Sequence, residues 1–438
     1  MRIAFSEFAS RKERQTACGG QVSIRYPLSA KRWKVIMAEM ATTLVELDYK
    51  ENLGWRIGAV IITLMAIGTV FVFSAGVEVA KGVTLSQFYE SANLRKALFF
   101  PLAVAVMLFV SRIDYRRFNL DKGPWRSPIT YLFAVSVVLL VLVLIPYIGS
   151  EINQARRWLR IPLGPATISF QPSELAKWAV IFTLSAFCIK YSDRLTFFKR
   201  GLLPVCIVLG LVVGLIIIED FGSAALIALL AFFILLIGGA NWRYLVAPLP
   251  VAAIGFAAAI LASPTRISRI TSFLHPDQFT GSSNYQASQS LIAIGSGGLF
   301  GKGLGMGVCK YGHLPEDTTD FIFSIIAEEM GLAGTLTVIA LFIIFIVLGV
   351  MIIKRCKEPF GKLLATSIVL AIGIQAALNI GVVTVVLPTK GLPLPFVSAG
   401  GTSMLLSAAA VGVLLNIASR DKLVEPAQCE KTQLREDA

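Results

Sequence analysis

The chain is 438 residues long, 55% hydrophobic and only 15% charged, with a mean hydropathy of +0.73. A soluble domain carries charge at about a quarter of its positions, so a soluble globular enzyme is excluded and a polytopic membrane protein is indicated. The formal charge of +13 does not point to nucleic acid, because basic residues gathered beside apolar runs are a topological signal.

Residues 1–50 are polar, with no early apolar stretch followed by a small-residue cleavage site. They are expected to form a disordered cytoplasmic tail, in which Met37 and Met40 are alternative starts. Apolar runs of spanning length then fall at 55–76, 97–111, 129–148, 173–190, 202–218, 222–239, 244–262, 321–353, 363–387 and 401–418. The expected fold is an all-α membrane protein of about ten transmembrane helices over 51–420, followed by a cytoplasmic tail at 421–438. The second run is short, with Lys96 and Arg112 placed to snorkel to the interfaces. The run from 321 is too long for one perpendicular span, so it should tilt, bend or begin outside the bilayer.

Of the 40 basic residues, 28 fall in segments on the side of the N-terminus, 11 on the opposite side, and Lys177 within a span. That asymmetry puts both termini in the cytoplasm. The long segment 263–320, between the seventh and eighth spans, is then extracytoplasmic. Apolar residues such as Tyr285, Leu291 and Ile294 argue for order there, with a short amphipathic helix near Tyr285–Ile294 along the membrane surface. No internal repeat is evident, which weakens an inverted-repeat transporter reading. The six cysteines (Cys18, Cys188, Cys206, Cys309, Cys356 and Cys429) are scattered singly and suggest neither a disulfide framework nor a metal site. His275 and His313 are too few for a histidine-built metal centre.

Carboxylates where a chain enters lipid are expensive and mark functional sites. Five of them, Glu316, Asp317, Asp320, Glu328 and Glu329, lie within fourteen residues. Asp320 stands at the point of entry, where it could cap the helix beginning at Phe321 or do chemistry. Glu328 and Glu329 lie two turns further on, protonated or paired with Arg or Lys from another helix. Glu174 and Lys177, three apart on one helix face, can neutralise each other. Arg156 and Arg157 are suited to phosphate oxygens, or simply anchor the interface with Trp158. Glu219 and Asp220 share a tight turn and could be exposed and inert. In the last outer segment, Leu387–Ser403, Lys390 is placed for a phosphate contact, and its proline- and glycine-rich backbone must line a cavity or be buried in protein.

Taken together, Ala155-Arg-Arg-Trp, Gln171-Pro-Ser-Glu with Lys177, Asp220-Phe-Gly-Ser, Tyr285-Gln-Ala-Ser-Gln-Ser, Gly301-Lys-Gly-Leu-Gly, Thr319-Asp-Phe and Pro393-Leu-Pro-Phe-Val-Ser resemble the SEDS family of cell-wall polymerases (RodA, FtsW and SpoVE). The resemblance covers about residues 50–420, and Leu387-Pro-Thr-Lys-Gly-Leu-Pro is most like the FtsW and SpoVE branch. It implies a peptidoglycan glycosyltransferase that polymerises lipid II outside the cytoplasmic membrane, with undecaprenyl pyrophosphate leaving and inversion to a β-1,4 link. The family's essential acid falls on Asp320, as general base. Arg156, Arg157, Lys390, Arg266 and Arg269 are the cations expected to bind the pyrophosphate, with Glu174, Lys177, Asp220, Glu328 and Glu329 in supporting roles. Expected partners are lipid II, a class B penicillin-binding protein transpeptidase and other membrane proteins of the division machinery. No cofactor is recognisable, although outer carboxylates beside a pyrophosphate could share Mg²⁺ or Mn²⁺. A lipid II flippase and a non-catalytic division scaffold are the competing readings. Three motif positions depart from the family pattern: Gln154 replaces its glycine, Glu219 its proline and Ala399 its tyrosine.

Overall fold

The computed structural model describes residues 30–75, 92–121, 123–152, 155–163, 166–275, 282–310 and 318–436. The chain divides into two units, Met1–Asn52 and Leu53–Ala438. In the first, residues 30–52 are helical, where a disordered tail to residue 50 was expected. The reason is composition: this stretch has no Gly or Pro and is rich in Ala, Met, Lys, Leu and Glu, all good helix formers.

The second unit holds seven helices long and apolar enough to cross a membrane. They are α1 (Leu53–Ala75), α4 (Pro172–Lys190), α5 (Phe198–Ile217), α7 (Trp242–Leu261), α10 (Ile322–Arg355), α11 (Pro359–Val383) and the Gly401–Arg420 part of α12 (Gly401–Glu436). Three shorter apolar helices, within α2 (Ala92–Ser111) and as α3 (Pro128–Leu144) and α6 (Phe221–Ile237), occupy the other expected runs. Helical structure continues to Glu436, through the expected C-terminal tail.

The helices pair α2 on α12, α10 on α11, α3 on α4 and α5 on α6, with α4 also against α6 and α11. Lipid offers no hydrophobic drive between helices, so close approach through small residues does the work. A β-carbon on Gly412 of α12 would stand 2.6 Å from the Met107 carbonyl of α2.

Two expected loops carry structure. Residues 149–170 form a three-stranded antiparallel sheet, β1 (Gly149–Ile152), β2 (Ala155–Leu163) and β3 (Ala166–Phe170), in sequence order. The 263–320 segment holds α8 (Pro264–Leu274) and α9 (Ser282–Ser296). The strongly amphipathic helix is α8, whereas α9 packs on α10. Ser290 of α9 is buried, hydrogen-bonded to Ser324 Oγ at 2.8 Å and to the Val383 carbonyl at 2.6 Å.

The long run from 321 does bend. Inside α10, Gly331 adopts φ 65° and ψ −158°, a conformation that an L side chain resists. Breaking a helix in lipid frees backbone groups that must find partners. The segment after α9 supplies them: Leu332 N donates to Gly298 O, Ala333 N to Leu299 O, Lys302 N to Glu328 O and Gly303 N to Glu329 O, at 2.9–3.1 Å. Glycine at 297 and 301 lets these backbones touch, since a β-carbon at either would collide with the Ala327 or Glu329 carbonyl. Glu328 and Glu329 are buried and paired, though with lysines of this docked segment rather than of another helix. Lys302 reaches Glu328 at 2.6 Å, and Lys310 reaches Glu329 at 3.0 Å. Ser74 of α1 donates to Glu329 as well, at 2.8 Å.

Candidate active site

At one end of the bundle a cavity of about 610 Å³ lies among β2, the α5–α6 turn, α7, α8 and the segment after α11. That size suits a small-molecule site. Its polar wall carries Arg157, Glu219, Asp220, Arg266, Arg269 and Lys390, and Ile217, Ile218, Phe221, Ile260 and Ile270 form an apolar wall.

Strand geometry decides which arginine faces it. Neighbours on a strand point to opposite faces, and Arg157 lines the cavity while Arg156 does not. Arg156 reaches Glu151 at 3.4 Å, and its backbone N donates to Glu219 Oε2 at 2.7 Å. Arg157 Nε donates to the Glu219 carbonyl at 2.7 Å. This contact aims the guanidinium along the cavity wall. We expect Arg157→Ala to raise KM for the substrate roughly tenfold or more, in line with losing a charge-assisted contact of about 1.5–3 kcal/mol. Arg156→Ala, whose exposed pair is worth about 1 kcal/mol or less, should change it little. Equal effects in steady-state kinetics would contradict the assignment.

Asp320 is drawn to the same place. The expected cap is corrected: α10 begins at Ile322, and Phe321 rather than Asp320 occupies the cap position. The carboxylate instead meets residue 391. A β-carbon on Gly391 would stand 2.9 Å from Asp320 Oδ2 and 3.9 Å from Arg157 Nη1. Gly391 therefore brings the 388–400 loop against the charged ends of both side chains.

The three arginines of the cavity repel one another. Burial pushes the Arg269 guanidinium below its ordinary value, the charge of Arg157 pushes it the same way, and Asp320 opposes both. Arg266 is lowered chiefly by burial and then by Arg157, with Asp220 and Glu219 opposing. Arg266 is also committed structurally, donating at 2.8 Å to the carbonyls of Ala259, Ile217 and Ile218. It ties the end of α7 to the end of α5.

Lys390 is lowered by burial alone, and its Nζ lies 5.1 Å from the centre of the Phe221 ring. Arg266 lies 5.7 Å from that ring, so Phe221, which sequence reasoning passed over, sits beside two of the cations. Burial disfavours the ammonium, so Lys390 loses its proton at a lower pH than a free lysine and its charge disappears as pH rises. The alkaline limb of the activity profile should therefore lie below the ordinary lysine range. Lys390→Arg, charged throughout, should move that limb upward, and an unmoved limb would assign it to another group.

Asp220 is not an exposed turn acid. It is buried and caps α6, accepting from Ser223 N at 3.1 Å, Ser223 Oγ at 2.6 Å and Gln171 Nε2 at 3.1 Å. Glu174 and Lys177 are buried further into the bundle, 2.6 Å apart. Lys177 also donates to Gln375 Oε1 at 2.8 Å, and Ser403 donates to Glu174 at 2.8 Å. Glu316, Asp317 and His313 lie outside the described residues. Among the described residues, no group of three or more His, Cys, Asp or Glu is placed to hold a metal ion.

The family model described as "Cell cycle protein", covering FtsW, RodA and SpoVE, matches residues 55–423. A probable peptidoglycan glycosyltransferase FtsW of Aromatoleum aromaticum is 40% identical over 81% of this chain and 85% of its own. Stage V sporulation protein E of Bacillus subtilis is 37% identical over 82% of this chain and 95% of its own. Among solved structures, the rod shape determining protein RodA of Thermus thermophilus superposes with a TM-score of 0.56 at 25% identity. It covers 83% of this chain and 96% of its own. With the family model spanning nearly the whole membrane unit, and relatives at this identity covering most of both chains, the chain belongs to the FtsW/RodA/SpoVE family.

Proposed function

We propose that this chain is a peptidoglycan glycosyltransferase that polymerises lipid II during cell division. The observation that carries the reading is the convergence of Asp320, Arg157 and Lys390 at one loop beside a cavity with an apolar wall. A polyprenyl pyrophosphate has the matching halves. Its chain suits Ile217, Ile218, Phe221 and Ile260, and its phosphates suit Arg157, Arg269 and Lys390.

In the reaction, Asp320 takes the proton of the acceptor's GlcNAc 4-hydroxyl as that oxygen bonds to C1 of the donor MurNAc. The bond from C1 to the pyrophosphate oxygen breaks on the opposite face, inverting C1. Undecaprenyl pyrophosphate departs with the electron pair, its charge met by the guanidinium and ammonium groups. Arg156, facing away, helps hold β2 in place. A Mg²⁺ or Mn²⁺ ion arriving with the pyrophosphate would take most of its oxygen donors from the phosphates and water, because among the described residues no group of three or more His, Cys, Asp or Glu is placed to hold one.

The ten apolar runs support ten spans, and the charge asymmetry supports cytoplasmic termini and a cavity on the outer face, where lipid II is polymerised. The partner that would cross-link the product is a class B penicillin-binding protein, alongside other membrane proteins of the division machinery. A flippase would need an open polar path for the headgroup. Glu174 and Lys177 neutralise each other in the packed bundle, which counts against that path.

The test is purified protein with its transpeptidase partner and lipid II in detergent, where translocation is irrelevant. Glycan chains are the expected product. No polymer, together with headgroup translocation in liposomes, would overturn the proposal in favour of a flippase. Neither activity would leave a scaffold.

A further inference from the structure

Asn379 lies near the cavity end of α11 and is only 1% exposed. Its Nδ2 donates to the Asp320 carbonyl at 2.8 Å and to the Leu392 carbonyl at 2.7 Å. One amide nitrogen has two hydrogens, and here each is spent on a different loop. Its Oδ1 has no hydrogen-bond partner among the described residues, so the orientation of the amide is set by those two donations. Leu392 follows Lys390 by two residues, and Leu392 N closes a tight turn on the Lys390 carbonyl at 3.1 Å. The same nitrogen therefore grips the loop of the acid and the loop of the cation.

Other bonds leave little freedom around this point. Ser398 Oγ donates to the Thr319 carbonyl and accepts from Leu394 N at 2.8 Å. Ala399 N donates to the Thr318 carbonyl at 3.0 Å. Gln375, one turn before Asn379, donates to the Pro393 carbonyl at 2.9 Å. These contacts tie residues 318–319 to 394–399 and α11 to the 388–400 loop. Asn379 holds the carbonyl of residue 320 itself.

We propose that Asn379 is a positioning residue that sets the placement of Asp320 against the Lys390–Leu392 turn. The inference rests on the reading of Asp320 as the general base. The Asp320 carboxylate and the Asn379 contact share a Cα, so a shift of the carbonyl carries the carboxylate with it. Misplacing a reacting group by about 1 Å can cost on the order of 10²-fold in rate.

The experiment measures lipid II polymerisation with Asn379→Leu, Asn379→Asp, Asn379→Ser and Asn379→Gln in the full-length protein with its partner. Leu fills the volume with no donor, and Asp replaces both donors with acceptors facing two carbonyls. We expect kcat to fall roughly 10- to 100-fold for both, with KM within about threefold, because substrate contacts remain while the reacting geometry is lost. Ser, with one donor, should be intermediate, and Gln, with two donors on a longer arm, should recover part of the rate. If Asn379→Leu or Asn379→Asp fails to fold, Ser and Gln decide on the same kcat-against-KM criterion. Wild-type kcat in the folded variants, or a KM change as large as the kcat change, overturns the inference. Asp320→Asn run in parallel separates the two claims. Activity in that variant defeats the base reading, whereas an inactive Asp320→Asn beside a fully active Asn379→Leu defeats only the positioning role.

Discussion

Asp320→Asn should lower kcat for glycan polymerisation by about 10²–10⁴-fold, the range that a positioned general base contributes. Asparagine keeps the size and most of the shape of the side chain but has no oxygen basic enough to take the hydroxyl proton. The loop around it should persist. Its backbone is held by Asn379, Ser398 and Ala399 through the carbonyls of residues 318–320, and none of those bonds uses the carboxylate. KM should stay level or fall, because Asp320 is a counter-charge to the Arg269 guanidinium, and removing it leaves the cations more attractive to pyrophosphate. A steady-state comparison in detergent decides the matter. A wild-type rate in a folded Asp320→Asn protein would remove the base from this site.

Much of this arrangement was legible in the sequence, and the parts that were not have identifiable physical reasons. Apolar run length located all seven helices that, among the described residues, are long and apolar enough to span, and the three shorter apolar ones, because the bilayer imposes a minimum span. Length also required the run from 321 to tilt, bend or begin outside the bilayer, but not which or where, since Gly331 is one of several glycines and its partner backbone at 297–303 is local in space only. The lysines at 302 and 310 read as loop charges for the same reason. Their glutamates lie 26 and 19 residues away and meet them only once the segment docks into the break. Residues 149–170 read as a loop because their apolar runs are short. The signals were the β-branched Thr167 and Ile168 after Gly164-Pro165, and period-two alternation would then have separated Arg157 from Arg156. Asp320 before an apolar run has the pattern of a helix cap, and only the coordinates place Phe321 in that role. Asn379 had a signal of its own. An amide late in an apolar run must find hydrogen-bond partners, but Asn379, like Gln375 in the same run, was overshadowed by the charged residues of the neighbouring segments.

Lys177→Met should destabilise the bundle by about 3–5 kcal/mol, the cost of leaving a buried charge without its partner. Glu174 and Lys177 are each no more than 4% exposed at the side chain, so water cannot replace the missing ammonium. Ser403 would remain as a donor to Glu174, too weak a partner for a full charge in this setting. Glu174→Gln with Lys177→Met removes both charges and keeps a group for Ser403 to bond, so the double variant should recover most of the loss in thermal midpoint. A double variant as unstable as the single one would show that the charge pair is not the source. The effect should also reach the active site. Gln375 accepts from Lys177 through Oε1 and donates to the Pro393 carbonyl through Nε2, so its orientation depends on the lysine. Without Lys177 the amide is free to turn, and the loop carrying Lys390 loses one of its anchors on α11. Activity of the single variant, measured well below its own melting temperature, should therefore fall even where the protein is fully folded.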